Sequence, residues 1–165
     1  GNDESINLTS KLTISLKFRV DGYPKTISPL VYKGWISGSQ NVFNGTERTY
    51  SLWVENTGLI HLTSADSRGQ QFINTPSKSI KLNTWYHYIG IIDREEGVMK
   101  SYLDGNLIAK GKIRKSTAVY TSKPLLIGSS HEKYHKFSNF NGAIEEVKIY
   151  NRSLNQEEIE ILFNE

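Results

Sequence analysis

The most informative run of apolar and polar positions lies between Asn83 and Gly111, where strand-like stretches are separated by turn signals. Trp85, His87, Ile89 and Ile91 alternate with Tyr86, Tyr88, Gly90 and Ile92, so both faces of the first stretch are largely apolar and both need cover. That pattern predicts two sheets packed face to face. Arg94-Glu95-Glu96-Gly97 is a polar tetrad closing on glycine, and Asp104-Gly105 between Leu103 and Leu107 is a two-residue hairpin signal in which glycine supplies the positive φ. These turns set Ile92 against Met99, Tyr88 against Leu103 and Tyr102 against Leu107, apolar against apolar in each case.

Upstream, Leu12, Ile14, Leu16, Phe18 and Val20 alternate with Thr13, Ser15, Lys17 and Arg19, which predicts a half-buried antiparallel strand with its second face in water. Asp21-Gly22-Tyr23-Pro24 is a turn, Leu30 to Lys33 a short strand, and the Gly/Ser/Asn-rich segment 34–46 a loop that carries Trp35. Tyr50 to Glu55 and Leu59 to Ser64 form a hairpin around Asn56-Thr57-Gly58. Its register sets Leu52 against Leu62, gives Tyr50, Leu52, Val54, Ile60 and Leu62 one buried face, and places Trp53 across from His61 on the other. Further strands are expected at Gln71 to Ile73, weakly at Ile80 to Leu82, at Leu125 to Ile127 and at Ala143 to Tyr150. Asn155 with Glu158 three residues on is a capping-box start, so Gln156 to Leu162 is expected to be helical. The sum is an all-β, two-sheet antiparallel β-sandwich with a short C-terminal helix, a single domain over residues 1–165.

Composition narrows the function. The 165 residues can bury a core without staples, and no cysteine is present, which excludes disulfides and thiolate chemistry but not an extracellular setting. The formal charge of +3 is spread along the chain. Lys100, Lys110, Lys112, Arg114 and Lys115 form the densest basic cluster and are expected to be a solvated edge, since no aromatic ladder interleaves them as nucleic-acid binding would require. No apolar run approaches membrane-spanning length, so no membrane insertion is expected; a signal peptide would lie outside this sequence.

Trp85-Tyr86-His87-Tyr88-Ile89-Gly90, Met99 to Gly105, Leu126-Ile127-Gly128 and Phe140 to Arg152 strongly resemble the laminin-G-like jelly roll of the concanavalin A-like lectin/glucanase superfamily. The opening Gly1 to Thr9 fits the same pattern, so the resemblance covers essentially the whole chain. It implies an extracellular or cell-surface module of a larger protein, commonly carbohydrate-binding and often holding a structural calcium, with function residing in loops grafted on the fold. It also implies calcium ligands at Asn2, Asp3 and Glu145, although aspartate is commoner than glutamate at the position of Glu145.

Enzymatic readings have less support. His131-Glu132-Lys133-Tyr134-His135 spells a zinc-protease motif, but that chemistry needs a helix to bring both histidines to one face, and the flanking Gly128-Ser129-Ser130 and Ser138-Asn139 are loop composition. Superfamily glucanases carry alternating acidic residues on one strand, whereas Glu145 and Glu146 are adjacent and are expected to point to opposite faces. The favoured reading is non-catalytic glycan binding. Sugars need aromatic planes for their C–H patches and polar side chains for their hydroxyls, which nominates Trp35, Trp53, His61, Arg68, Tyr134, His135 and Asn139. The alternative is a structural or protein-interaction (adhesion) domain that binds no sugar.

Overall fold

The computed structural model describes residues 3–35, 46–132 and 138–165. In chain order its strands are β1 (Lys11–Val20), β2 (Ile27–Gly34), β3 (Arg48–Glu55), β4 (Ile60–Asp66), β5 (Gly69–Asn74), β6 (Trp85–Asp93), β7 (Val98–Leu103), β8 (Asn106–Lys112), β9 (Leu126–Ile127) and β10 (Gly142–Tyr150), followed by helix α1 (Gln156–Asn164). They form two five-stranded sheets, ordered β10-β1-β6-β7-β8 and β5-β4-β3-β2-β9. The core between them is built from the alternating residues the sequence nominated: Leu12, Ile14, Leu16 and Phe18 from one sheet and Tyr50, Leu52, Val54 and Leu62 from the other. The expected pairings Tyr88 with Leu103, Ile92 with Met99, Tyr102 with Leu107, Leu52 with Leu62 and Trp53 with His61 all hold.

Three local expectations are corrected. The segment Ile80 to Leu82 is not a strand; Ile80 is instead an anchor in irregular chain, its N–H donating to the Gly58 carbonyl at 2.9 Å and its own carbonyl accepting from the Tyr23 hydroxyl at 2.6 Å. The second face of β1 is not fully wet either. Thr13 and Ser15 are buried, and Thr13 Oγ1 donates to the Arg152 carbonyl at 2.8 Å while accepting from the Leu154 N–H at 3.1 Å. The cause is α1, whose Ile159 and Leu162, with Leu154, pack on Ile89, Ile91 and Tyr102. The two-faced apolarity of β6 thus has two covers, the opposing sheet inside and this helix outside.

The third correction concerns the adjacent glutamates. Ser15 pairs with Lys148 but Lys17 pairs with Glu145, so β10 carries an extra residue there, and Glu146 sits at φ 51°. This β-bulge turns Glu146 back toward Lys17, its carboxylate 3.1 Å from Nζ, while Glu145 lines a cleft with the same lysine. Both carboxylates therefore lie around Lys17 on the outer face, because a bulge breaks the two-residue alternation on which the opposite-face expectation rested.

The helix start behaves as read. Asn155 Oδ1 accepts from the Glu158 N–H at 3.0 Å and Glu158 returns a carboxylate to the Asn155 N–H at 2.9 Å. Asn155→Ala should cost about 1 kcal/mol and lower Tm by roughly 2–4 °C, read by thermal melting, with no change in the first-sheet core.

Candidate functional site

The outer face of the second sheet is where the sequence places an aromatic pair, and its backbone explains what happens to it. Lys33 pairs with Tyr50 and Gly34 with Arg48, which leaves Thr49 as the extra residue of a bulge. Arg48 is thereby brought to the face that carries Trp53, and its guanidinium lies 4.4 Å from the indole centroid. The guanidinium also grips Glu132 through two parallel bonds, Nε to Oε1 at 2.7 Å and Nη2 to Oε2 at 2.8 Å. Tyr32 meets the indole edge-on at 5.7 Å, and Ile27 and Leu126 complete the cluster. Trp53 is consequently 0% exposed, its Nε1–H donating to Ser51 Oγ at 2.7 Å. It is a packing residue beneath the chain segment that carries His131 and Glu132, and not an open platform.

His61 is paired across from Trp53 as expected but is also buried, 6% exposed. Its Nδ1 lies 2.7 Å from Asn74 Oδ1 and its Nε2 3.0 Å from Gln70 Nε2, which assigns Nδ1 as the donor and Nε2 as the acceptor of a neutral ring. Burial pushes its pKa down to about 4, with the Arg48 charge acting in the same direction against the Asn74 bond. Phe72, 54% exposed, lies tilted against it, with ring centroids 4.9 Å apart and 41° between the planes.

The remaining nominated residues disperse. Arg68 sits in the β4–β5 turn near Asp66, five residues along β4 from His61, or ~17 Å at a strand's rise per residue. There Asp66 Oδ1 accepts from the Arg68 N–H at 2.8 Å and the carboxylate is clasped by Arg114 at 2.8 Å, which holds its pKa well below the usual carboxylate range. Asn139 is exposed beside Phe140, whose N–H donates to the Gly128 carbonyl at 2.9 Å. Tyr134 and His135 lie outside the described residues, as does Asn2. In the zinc-protease motif the described part, His131-Glu132, is not helical, and Glu132 is committed to Arg48.

The two described residues of the calcium set have other contacts. Asp3 Oδ1 accepts from the Ser5 N–H at 2.8 Å, capping the short 3-10 helix Glu4–Ile6, whereas Glu145 faces Lys17 on the first sheet. Among the described residues no group of three or more acidic, His or Cys side chains is placed to hold a metal.

Among the described residues, Trp35 is the nominated aromatic that stays open. It follows β2, its N–H donating to the Glu47 carbonyl at 3.2 Å, and is 41% exposed. With Glu47, Val119, Tyr120 and Thr121 it lines a shallow pocket of about 160 Å³. Tyr120 is 65% exposed, and Lys123 Nζ stands 5.0 Å from the Trp35 ring. Tyr120 and Lys123 were missed because they lie in irregular chain between β8 and β9, where no periodicity marks a face. A larger cleft of about 360 Å³ on the first sheet is lined by Lys17, Trp85, Tyr86, His87 and Glu145. Of its lining groups, Lys17 pairs with Glu146 at 3.1 Å and His87 Nε2 bonds Ser15 Oγ at 2.8 Å, while His87 Nδ1 is buried without a partner among the described residues; nearby Arg19, which lies 5.4 Å from the Trp85 ring, pairs with Asp21 at 2.6 Å.

A sandwich with these strand orders, these turns and surface-borne aromatic pockets defines a lectin-type jelly roll. The chain belongs to the concanavalin A-like lectin/glucanases superfamily, whose laminin G-like profile matches residues 2–160. It is 26% identical over 162 residues to an adhesion G-protein coupled receptor V1 from Danio rerio, covering 96% of this chain and 2% of that receptor. Among solved structures it is similar to the Ruminococcus gnavus IT-sialidase CBM40 bound to alpha2,3 sialyllactose, with TM-score 0.78, 16% identity and coverage of 97% of this chain and 86% of that one. It is also similar to a botulinum neurotoxin type C structure whose cell entry is described as dependent on two ganglioside molecules, with TM-score 0.67, 20% identity and coverage of 98% and 36%. The binding domain of Paraclostridial Mosquitocidal Protein 1 matches with TM-score 0.70, 23% identity and coverage of 98% and 39%. These likenesses establish the fold. No helix among the described residues is long and apolar enough to cross a membrane.

Proposed function

We propose that the chain is a non-catalytic glycan-binding module of a larger extracellular or cell-surface protein, with its ligand seated at the Trp35/Tyr120 pocket. The observation that carries this is the convergence of two exposed aromatic rings with Glu47, Thr121 and Lys123 around one depression. The rings offer planes for the C–H patches of a pyranose, and the polar groups offer hydrogen bonds to its hydroxyls. The sialyllactose and gangliosides associated with the similar structures support an acidic sugar, whose carboxylate the Lys123 ammonium would meet. A pocket smaller than the usual 300–1,000 Å³ of small-molecule sites implies weak binding, roughly micromolar to millimolar. The carboxylates of the two motifs that suggest catalysis are partly engaged, Glu132 with Arg48 and Glu146 with Lys17.

A glycan array that includes sialylated and neutral oligosaccharides tests the reading. Trp35→Ala and Tyr120→Ala, each confirmed folded by circular dichroism, should weaken the best ligand by about tenfold, ~1.4 kcal/mol. Unchanged affinity in both variants moves the site elsewhere. The similarity to an adhesion receptor favours the second reading, protein-mediated adhesion, and absence of any ligand across the array would select it.

A further inference from the structure

The cleft of about 360 Å³ on the outer face of the first sheet has the size of a small-molecule site, and it shares no lining residue with the Trp35/Tyr120 pocket. Register builds its floor. Glu145 of β10 stands opposite Lys17 of β1, and Lys17 stands opposite His87 of β6, so the three lie in one row across the sheet. Two residues along, Arg19 stands opposite Trp85, which lines the cleft from the same face. Helix α1 steadies this floor, since Phe163 stacks on the His87 ring with centroids 5.9 Å apart. Beneath it, His87 Nδ1 is a hydrogen-bonding position that no described residue meets.

Charge in these rows is not balanced. Lys17 is taken by Glu146 at 3.1 Å and Arg19 by Asp21 at 2.6 Å, whereas Glu145 has no ion pair or hydrogen bond among the described residues. Lys17 and Arg19 against Glu145, Glu146 and Asp21 leave one negative charge, that of Glu145, and Lys148, the next charge on β10, is paired with Glu165. The backbone holds this carboxylate at the cleft. Glu146 adopts a left-handed conformation, φ 51°, that a residue with a Cβ rarely takes, and the bulge it belongs to carries Glu145 into the Lys17 row. Backbone strain of this kind gathers at functional sites. On the aromatic side Trp85 is 42% exposed, and the Arg19 guanidinium at 5.4 Å shows that its ring accepts a cation. We propose that this cleft binds a small organic monocation of the arylalkylamine class, its ammonium on Glu145 and its ring against Trp85. One positive charge neutralises the one excess carboxylate, whereas a polyamine would set further charge against Lys17 and Arg19, and an acidic sugar would add to the excess. An ion pair with an exposed carboxylate contributes little, so the affinity should be about millimolar.

The test titrates phenethylamine into the full chain and follows the backbone amide NMR shifts of Lys17, His87 and residue 145. Saturable shifts should centre on about 1–10 mM amine. Glu145→Gln and Trp85→Ala, each confirmed folded by thermal melting, should weaken binding about threefold or more, and the neutral N-acetyl derivative of the amine should bind wild-type protein more weakly by a similar factor. Trp35→Ala and Tyr120→Ala should leave the amine's affinity unchanged, and Glu145→Gln should leave glycan affinity unchanged. Failure of this proposal and failure of the glycan reading are thus told apart. No saturable shift below roughly 50 mM amine, equal affinity for the N-acetyl derivative, or unchanged affinity in Glu145→Gln would overturn the assignment. Tighter binding of phenylalanine than of phenethylamine would also overturn it, by making the preferred ligand a zwitterion.

Discussion

Arg48→Ala and Glu132→Ala should each destabilise the protein by about 3–5 kcal/mol, a fall in Tm of roughly 10 °C, because either change deprives a buried charge of its bidentate partner. Arg48 is 0% exposed at its side chain and Glu132 is 6% exposed, so neither partner has water to fall back on. The Coulombic gain of the pair is offset by the cost of desolvating it, so the double replacement Arg48→Met/Glu132→Leu should recover most of the loss. Chemical denaturation of the four proteins decides it. Single-variant costs below about 1 kcal/mol would mean that water reaches the pair and that the segment over Trp53 is open. Trp53→Ala belongs to the same experiment. It should cost about 3–5 kcal/mol by leaving a cavity under Arg48 and Tyr32, so any accompanying loss of glycan binding is read against a melt and not taken as a missing contact.

The contrast between Trp53 and Trp35 shows how far the sequence can be read. Strand periodicity placed Trp53 on the outer face and opposite His61, and both statements hold. Periodicity reports which face a residue occupies; it does not report whether another segment lies over that face. That cover is supplied by Arg48, redirected by a bulge, and by Glu132 from a distant loop, and neither event leaves a local signal. The same blindness produced the error at Glu145 and Glu146, where one inserted residue reverses the alternation. Core pairings and the α1 cap were legible because each depends on neighbours in sequence or on a short turn. Tyr120 and Lys123 were not, because irregular chain offers no period and only the tertiary fold brings them to Trp35.

Stability should fall as pH drops from about 6.5 to about 4, and His61 should be the main cause. In the folded protein its ring is neutral: Nδ1–H donates to Asn74 Oδ1 and Nε2 accepts from the Gln70 amide, so a second proton would meet a donor at Nε2 and the Arg48 charge nearby. Folded, it titrates at about 4; unfolded, near 6.5. Between those values the unfolded chain holds the extra proton and the folded chain does not, so unfolding becomes easier with each step down in pH. The contribution is complete above about 6.5 and, over the full interval, is on the order of 3 kcal/mol. His87, whose pKa burial also lowers, acts with the same sign. Asp66 acts further down, since its carboxylate stays ionised on Arg114 until well below the usual range. Denaturant midpoints measured from about pH 8 down to about pH 2 for wild-type protein and for His61→Gln separate these effects. The variant should lose most of the slope between about 6.5 and 4 and keep the acid fall due to Asp66. A His61 resonance that titrates near 6.5 in the folded protein would show the ring to be solvated and would refute the assignment.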